Sequence, residues 1–192
     1  MRYYVGLLAM VVTPTPPLAA GAVHRIGDET RCSVALAYIE TVLSGERGKQ
    51  LVFSDEWESV SYPLTAGGWS VPGHGTRSSA PPSSLLAEAR KRGAQSAVKY
   101  CPSIRARLSA AGIAYGSKAV ADASKTARGR EFRYNVKIIG VSTPVVSDDK
   151  RKAVLYSSQV SGPLAGGAYV YYMKRSPLGK WIVVGSKVVT TA

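Results

Sequence analysis

The chain predicts an α+β domain in which N-terminal helices pack on a curved C-terminal antiparallel sheet of four to five strands. Three observations carry that expectation. Strand-like segments with turn chemistry between them follow one another from Glu131 to Ala192, and apolar stripes at helical spacing lie in the first half. Several of the strands are also apolar at nearly every position, as at Ile182, Val183 and Val184. A sheet of such strands is covered on both faces, and the cover has to come from the first half of the chain. With 192 residues, 45% of them hydrophobic, there is apolar material for one real core.

Met1-Arg2-Tyr3-Tyr4 precedes an apolar run from Val5 to Val12, and Ala20-Gly21-Ala22 offers an A-x-A cleavage site. That pattern predicts a secretory signal peptide over residues 1–22 and one exported domain, periplasmic or secreted, over 23–192. The apolar run is far short of the about 20 residues a membrane-spanning helix needs, so the mature chain is expected to carry no span. No cysteine precedes residue 23, which leaves out a lipoprotein signal.

Asp28 can cap a helix whose stripe is Cys32, Leu36, Ile39 and Leu43, with Gly45 where a C-terminal cap belongs. Lys49–Phe53 reads as a short strand, and Asp55, Glu56 and Glu58 behind it form the acidic cluster of the chain. Residues 61–83 hold Pro63, Gly67, Gly68, Pro72, Gly73, Gly75, Pro81 and Pro82, so a long loop is expected there. Loops of that length are mobile or functional. Trp69 and His74 lie within it, either pinning the loop to the body or touching a ligand. Ser84 can cap a helix running toward Val98 with Gly93 as its weak point. Pro102 ends or restarts it, Ser103–Ala111 makes a further helix closed by Gly112, and Gly116–Arg130 reads as a loop or edge segment.

Phe132–Ser142 alternates as a strand, Ser147–Arg151 supplies a polar turn, and Ala153–Val160 returns antiparallel. The Gly- and Pro-rich stretch 161–167 predicts a wide or bulged connection, because proline removes a ladder donor and glycine permits positive φ or close backbone approach. Ala168–Lys174, the turn Ser176-Pro177-Leu178-Gly179 and Trp181–Thr190 complete a four-strand meander.

Cys32 and Cys101 are the two cysteines, and an exported chain with an even count pairs them; the alternative is two buried thiols. Their spacing excludes a CxxC redox centre.

Lys and Arg number 25 against 12 Asp and Glu, a formal charge of +13. The cations cluster at Arg90-Lys91-Arg92, at Arg128, Arg130 and Arg133, at Lys150-Arg151-Lys152 and at Lys174-Arg175. Gathered on one side, they would attract an anionic surface or an acidic protein, chiefly through charge; spread out, they are a solvated face. Specific nucleic-acid recognition is not expected, since no RNP motif, C₂H₂ spacing or helix-turn-helix is present.

Two histidines, His24 and His74, are too few for a multi-histidine metal centre, and no cofactor or metal is implied. G-x-S-x-G is absent, and the S-x-x-K letters at Ser147–Lys150 fall in a predicted turn. The carboxylates of Asp55, Glu56 and Glu58 could be paired for hydrolysis or form a solvated turn. Tyr169 and Tyr171 share a strand face, where their hydroxyls could line a pocket mouth or pack in the core.

The run Ala153–Tyr156, then Gly162-Pro163-Leu164 and Gly166-Gly167, then Tyr169–Met173, then Leu178-Gly179-Lys180-Trp181-Ile182-Val183 resembles the end of a group of small exported bacterial proteins. In that group a C-G-x-L-C-G-G turn leads to a Y-V-x-L strand and a last strand opened by N-G-K-W. The resemblance covers about the last sixty residues and departs from the pattern at Ser161 and Ala165, where the group has cysteines. It implies helices on a curved antiparallel sheet, similar to the cone of nuclear transport factor 2 or of cystatins, together with export. The group has no assigned activity, so no catalytic residue is carried over.

The expectation from these readings is an exported, non-catalytic binding module. Its candidate contacts are Lys150, Arg151, Lys152, Tyr171, Trp69 and His74. The alternative is a small hydrolase or ligand-binding protein with a pocket in the sheet's concavity, closed by the 61–83 loop.

Overall fold

A computed structural model describes residues 20–46, 50–57, 67–91, 95–126, 136–162 and 165–191. The expected signal peptide up to residue 19, the 61–66 part of the long loop, Glu58, Arg92, and Arg128, Arg130 and Arg133 lie outside those residues, as do the first four positions of the Phe132–Ser142 strand.

The first helix, α1, is Ala20–Gly45, so Asp28 lies inside it and does not cap it. From Ala20 to Asp28 the chain has no proline, and Gly21 weakens a helix by only about 1 kcal/mol relative to alanine. The most buried positions of α1 are Val34, Ala35, Tyr38 and Ile39. They share Ile39 with the expected stripe but are centred a few residues away, on the face where Tyr38 packs on Tyr171 of the sheet. After β1, Gln50–Phe53, come α2, Ser83–Lys91, and α3, Ala97–Tyr100. Ser96 caps α3, its Oγ accepting the Lys99 N–H, so the expected helix from Ser84 to Val98 is two helices. Pro102 opens α4, Pro102–Ala110, at the first helical turn, where its missing N–H is not needed.

After β2, Ala114–Tyr115, the segment read as a loop or edge is instead α5, Ser117–Thr126. Its inner side is made of Ala119, Val120 and Ala123. Alanines carry little apolar signal, which hid the period.

The strands β3, Val136–Val141, β5, Lys152–Gly162, β6, Ala165–Arg175, and β7, Trp181–Thr191, form the expected antiparallel meander. A short β4, Val145–Val146, pairs with β5. The sheet extends further than four to five strands, in the order β2-β1-β3-β5-β6-β7, and β1 is parallel to both β2 and β3. Residues 161–162 and 165–167 are ladder, with a register shift between Val160 and Gly162, and Pro163 and Leu164 lie outside the described residues. A Cβ on Gly167 would stand 2.8 Å from Thr190 O, so glycine here serves close strand approach and not a turn.

Side chains alternate between two covered faces, as continuous apolar strands require. Leu51, Phe53, Ile139, Val141, Leu155 and Met173 meet α1, α3 and α4 on one face. Val154, Tyr156, Val170 and Tyr172 meet α2 and Trp69 on the other, where Val52 and Val136 also meet α5. Cys32 of α1 and Cys101, between α3 and α4, form a disulfide with Cα atoms 5.5 Å apart and a sequence separation of 69. Among the described residues no helix is long and apolar enough to cross a membrane.

Candidate functional site

The meander turns back twice at one end of the sheet, and both turns are basic. Lys152 of β5 pairs with Lys174 of β6, and the Arg175 N–H donates to Arg151 O at 2.8 Å. The run Lys150-Arg151-Lys152 is thereby set beside Lys174, Arg175 and Lys180, with Asp148 and Asp149 as the carboxylates of the same turns.

Each turn is fixed by its own short polar side chains. In the first, the Ser147 hydroxyl lies 2.6 Å from Asp149 Oδ1 and 2.9 Å from Lys152 O, and accepts the Lys152 N–H at 3.0 Å. Asp149 Oδ1 also accepts the Arg151 N–H at 3.0 Å. The hydrogen bond from Ser147, then that from the Arg151 N–H, hold the Asp149 carboxyl below its usual value, so it stays ionised. Lys150 has φ 53°, the left-handed conformation that costs a non-glycine residue about 1–2 kcal/mol. In the second turn the Gly179 N–H donates to Ser176 O at 2.9 Å, and Arg175 Nε donates to Gly179 O at 3.0 Å, which orients the guanidinium. Between the turns is a cavity of about 480 Å³, with Asp149, Lys150 and Arg151 on one side and Arg175, Ser176 and Gly179 on the other. Lys174 Nζ sits 5.4 Å from the Tyr172 ring centroid, a cation–π contact. Leu178, 86% exposed, projects from the tip.

Such an end can bind an anion through charge and guanidinium donors. Among the described residues no group of three or more His, Cys, Asp or Glu could hold a metal ion.

The other predicted site residues fall elsewhere. Trp69 is 3% exposed and its ring stands edge-on to Tyr172 at 6.4 Å, so it pins the loop. That loop closes on itself, with the Ser78 N–H donating to Trp69 O and the Val71 N–H to Thr76 O, and it is tied to β7 through Ser70 and Ser186. His74 is exposed in the turn between these bonds. Tyr171 lies on the opposite sheet face from Trp69, its ring 4.6 Å from Tyr38 of α1 and 6.3 Å from Tyr169. Gln159 Nε2 donates to its hydroxyl at 3.2 Å. Burial pushes the Tyr171 hydroxyl up and raises Tyr38 further, which suits hydrogen bonding and not proton abstraction. Asp55 and Glu56 do come together, an oxygen of each lying within hydrogen-bond reach of the Ser117 hydroxyl, which can donate to either. Tyr171, His74 and this acidic pair are not gathered into one pocket.

Sequence reasoning missed Lys180 and the meeting of the two basic runs. Counting register outward from the Ser176–Gly179 turn would have placed Lys180 beside Arg175, and counting back from the hairpin between Gly162 and Ala165 would have brought Lys152 to within a residue of Lys174. Comparison of the chain with protein families, with curated proteins and with solved structures finds no match.

Proposed function

We propose that the chain is an exported, non-catalytic binding module whose basic sheet end engages an anionic surface or an acidic protein. The observation that carries this reading is the convergence of Lys150, Arg151 and Lys152 with Lys174, Arg175 and Lys180 on two adjoining turns. Backbone hydrogen bonds hold the two turns side by side before any partner arrives, so little backbone ordering is left for association. The left-handed Lys150 supports the same reading, since a charged residue persists where glycine would be unstrained. Export is supported by the pattern of residues 1–22 and by the Cys32–Cys101 bridge, which fits a non-cytoplasmic location.

The test is retention of the purified protein on an anionic polymer resin and on an immobilised acidic protein over a salt series. Retention is expected to fall steeply with salt and to collapse in the triple charge reversal K150E/R151E/K152E. Retention indifferent to both salt and reversal removes the reading.

A further inference from the structure

A second cleft opens where the parallel strands end. The chain leaves β1, returns as β2 on one side of it, then crosses by α5 to β3 on the other side. Where connections diverge in this way, a crevice forms outside the carboxyl ends of the strands, and parallel sheets place ligands there. Here it is a cavity of about 610 Å³, within the range of about 300–1,000 Å³ typical of small-molecule sites.

One wall is Asp55, Glu56 and Trp57, directly after β1; the other is Gln95, Lys99 and Tyr100, around the start of α3. The walls are tied together by Ser96, whose Oγ donates to Ser54 O at 3.3 Å. Ser117, at the start of α5, lies 2.9 Å from Asp55 Oδ1 and 3.0 Å from Glu56 Oε1, so one hydroxyl holds the two carboxylates together. Trp57 rests on β3 because Gly140 has no side chain; a Cβ there would come within 3.2 Å of Trp57 Cζ3 and would collide with Ser158 Oγ. The Trp57 indole N–H is shielded from solvent and has no protein acceptor.

In a chain of charge +13 this cleft has two carboxylates and one ammonium, the reverse of its surroundings. Its complement is a ligand with two cationic groups, one carboxylate and an apolar stem. The geometry points to a binding site for a basic α-amino acid: the cationic groups lie on Asp55 and Glu56, the carboxylate on Lys99, and the carbon stem against Trp57. The site shares no residue with the basic sheet end, and the two readings fail separately.

Calorimetric titration of the purified chain with L-arginine tests it, with Trp fluorescence as a second readout. Saturable binding with Kd tighter than about 1 mM is expected. Agmatine lacks the carboxylate, N-acetylarginine the α-ammonium and citrulline the guanidinium charge, and each is expected to bind about tenfold or more weaker. The variants Glu56→Gln and Lys99→Ala change exposed side chains, and each is expected to weaken L-arginine binding to a similar degree without altering the unfolding midpoint. Absence of saturable L-arginine binding overturns the assignment. So does affinity that is the same for all three analogues, or unchanged in both variants.

Discussion

Replacing both cysteines, as C32A/C101A, isolates the contribution of the bridge to the fold. The bridge spans 69 residues, and on the chain-entropy account closing such a loop in the unfolded state stabilises the native state by about 4 kcal/mol. Cys101 is fully buried, so truncating its sulfur leaves a small void that adds to the loss. Domains of this size are stable by about 5–15 kcal/mol, so the variant should retain between a fifth and three-quarters of the original. The assay is urea unfolding followed by tryptophan fluorescence, comparing oxidised chain, chain with reductant, and the variant. The midpoint should drop, the reductant should reproduce most of the drop, and the denaturant slope should rise because an unbridged chain exposes more surface when unfolded. Equal stability of oxidised and reduced chains would refute the reasoning, and with it the support that the bridge lends to an extracytoplasmic setting.

Lys150→Gly should raise stability by up to about 1 kcal/mol, since relief of the left-handed strain exceeds the extra freedom of glycine in the unfolded chain, while retention on an anionic resin falls. A lower unfolding midpoint would contradict this. Gly140→Ala should lose about 1–3 kcal/mol through overpacking against Trp57 and Ser158, and adding Ser158→Ala should recover part of it in a double-mutant cycle. The buried Tyr38 has its hydroxyl raised above the usual 10.0, chiefly by burial. Its stabilising contribution is therefore complete below that value and is lost as pH rises toward the folded one, so pH-dependent loss of stability in strong alkali should diminish in Tyr38→Phe. Leu178→Ser, at the exposed tip of a turn, should change stability by no more than about 0.5 kcal/mol.

The meander was legible because its strands are rich in β-branched and aromatic residues and its turns carry the residues that turns require, as at Ser176-Pro177-Leu178-Gly179. The cysteine pair was legible from arithmetic alone. The parallel pairing of β1 with β2 and β3 was not, since Gln50 meets Val136 across four intervening helices and no local signal encodes that register. Helix α5 was hidden by its small inner residues, and the start of α1 by Asp28, a capping residue type through which the helix runs. The same limit applies to the two sites. The sequence displays Asp55, Glu56 and Lys150–Lys152, but topology supplies their neighbours: Gln95, Lys99 and Tyr100 for the cleft, Lys174, Arg175 and Lys180 for the basic end.

The order of the strands also constrains when the molecule can form during synthesis. Helix α1 and strand β1 emerge first, yet β1 has β3 as its ladder neighbour and Tyr38 of α1 rests on Tyr171 of β6, so both wait for the last third of the chain. Cys32 and Cys101 are both available before any strand of the meander exists, and a chain with two cysteines has a single intramolecular pairing and no isomer to correct. A bridge formed at that stage would tie a loop that already contains β1, whose place in the sheet, between β2 and β3, is complete only once β3 has been made.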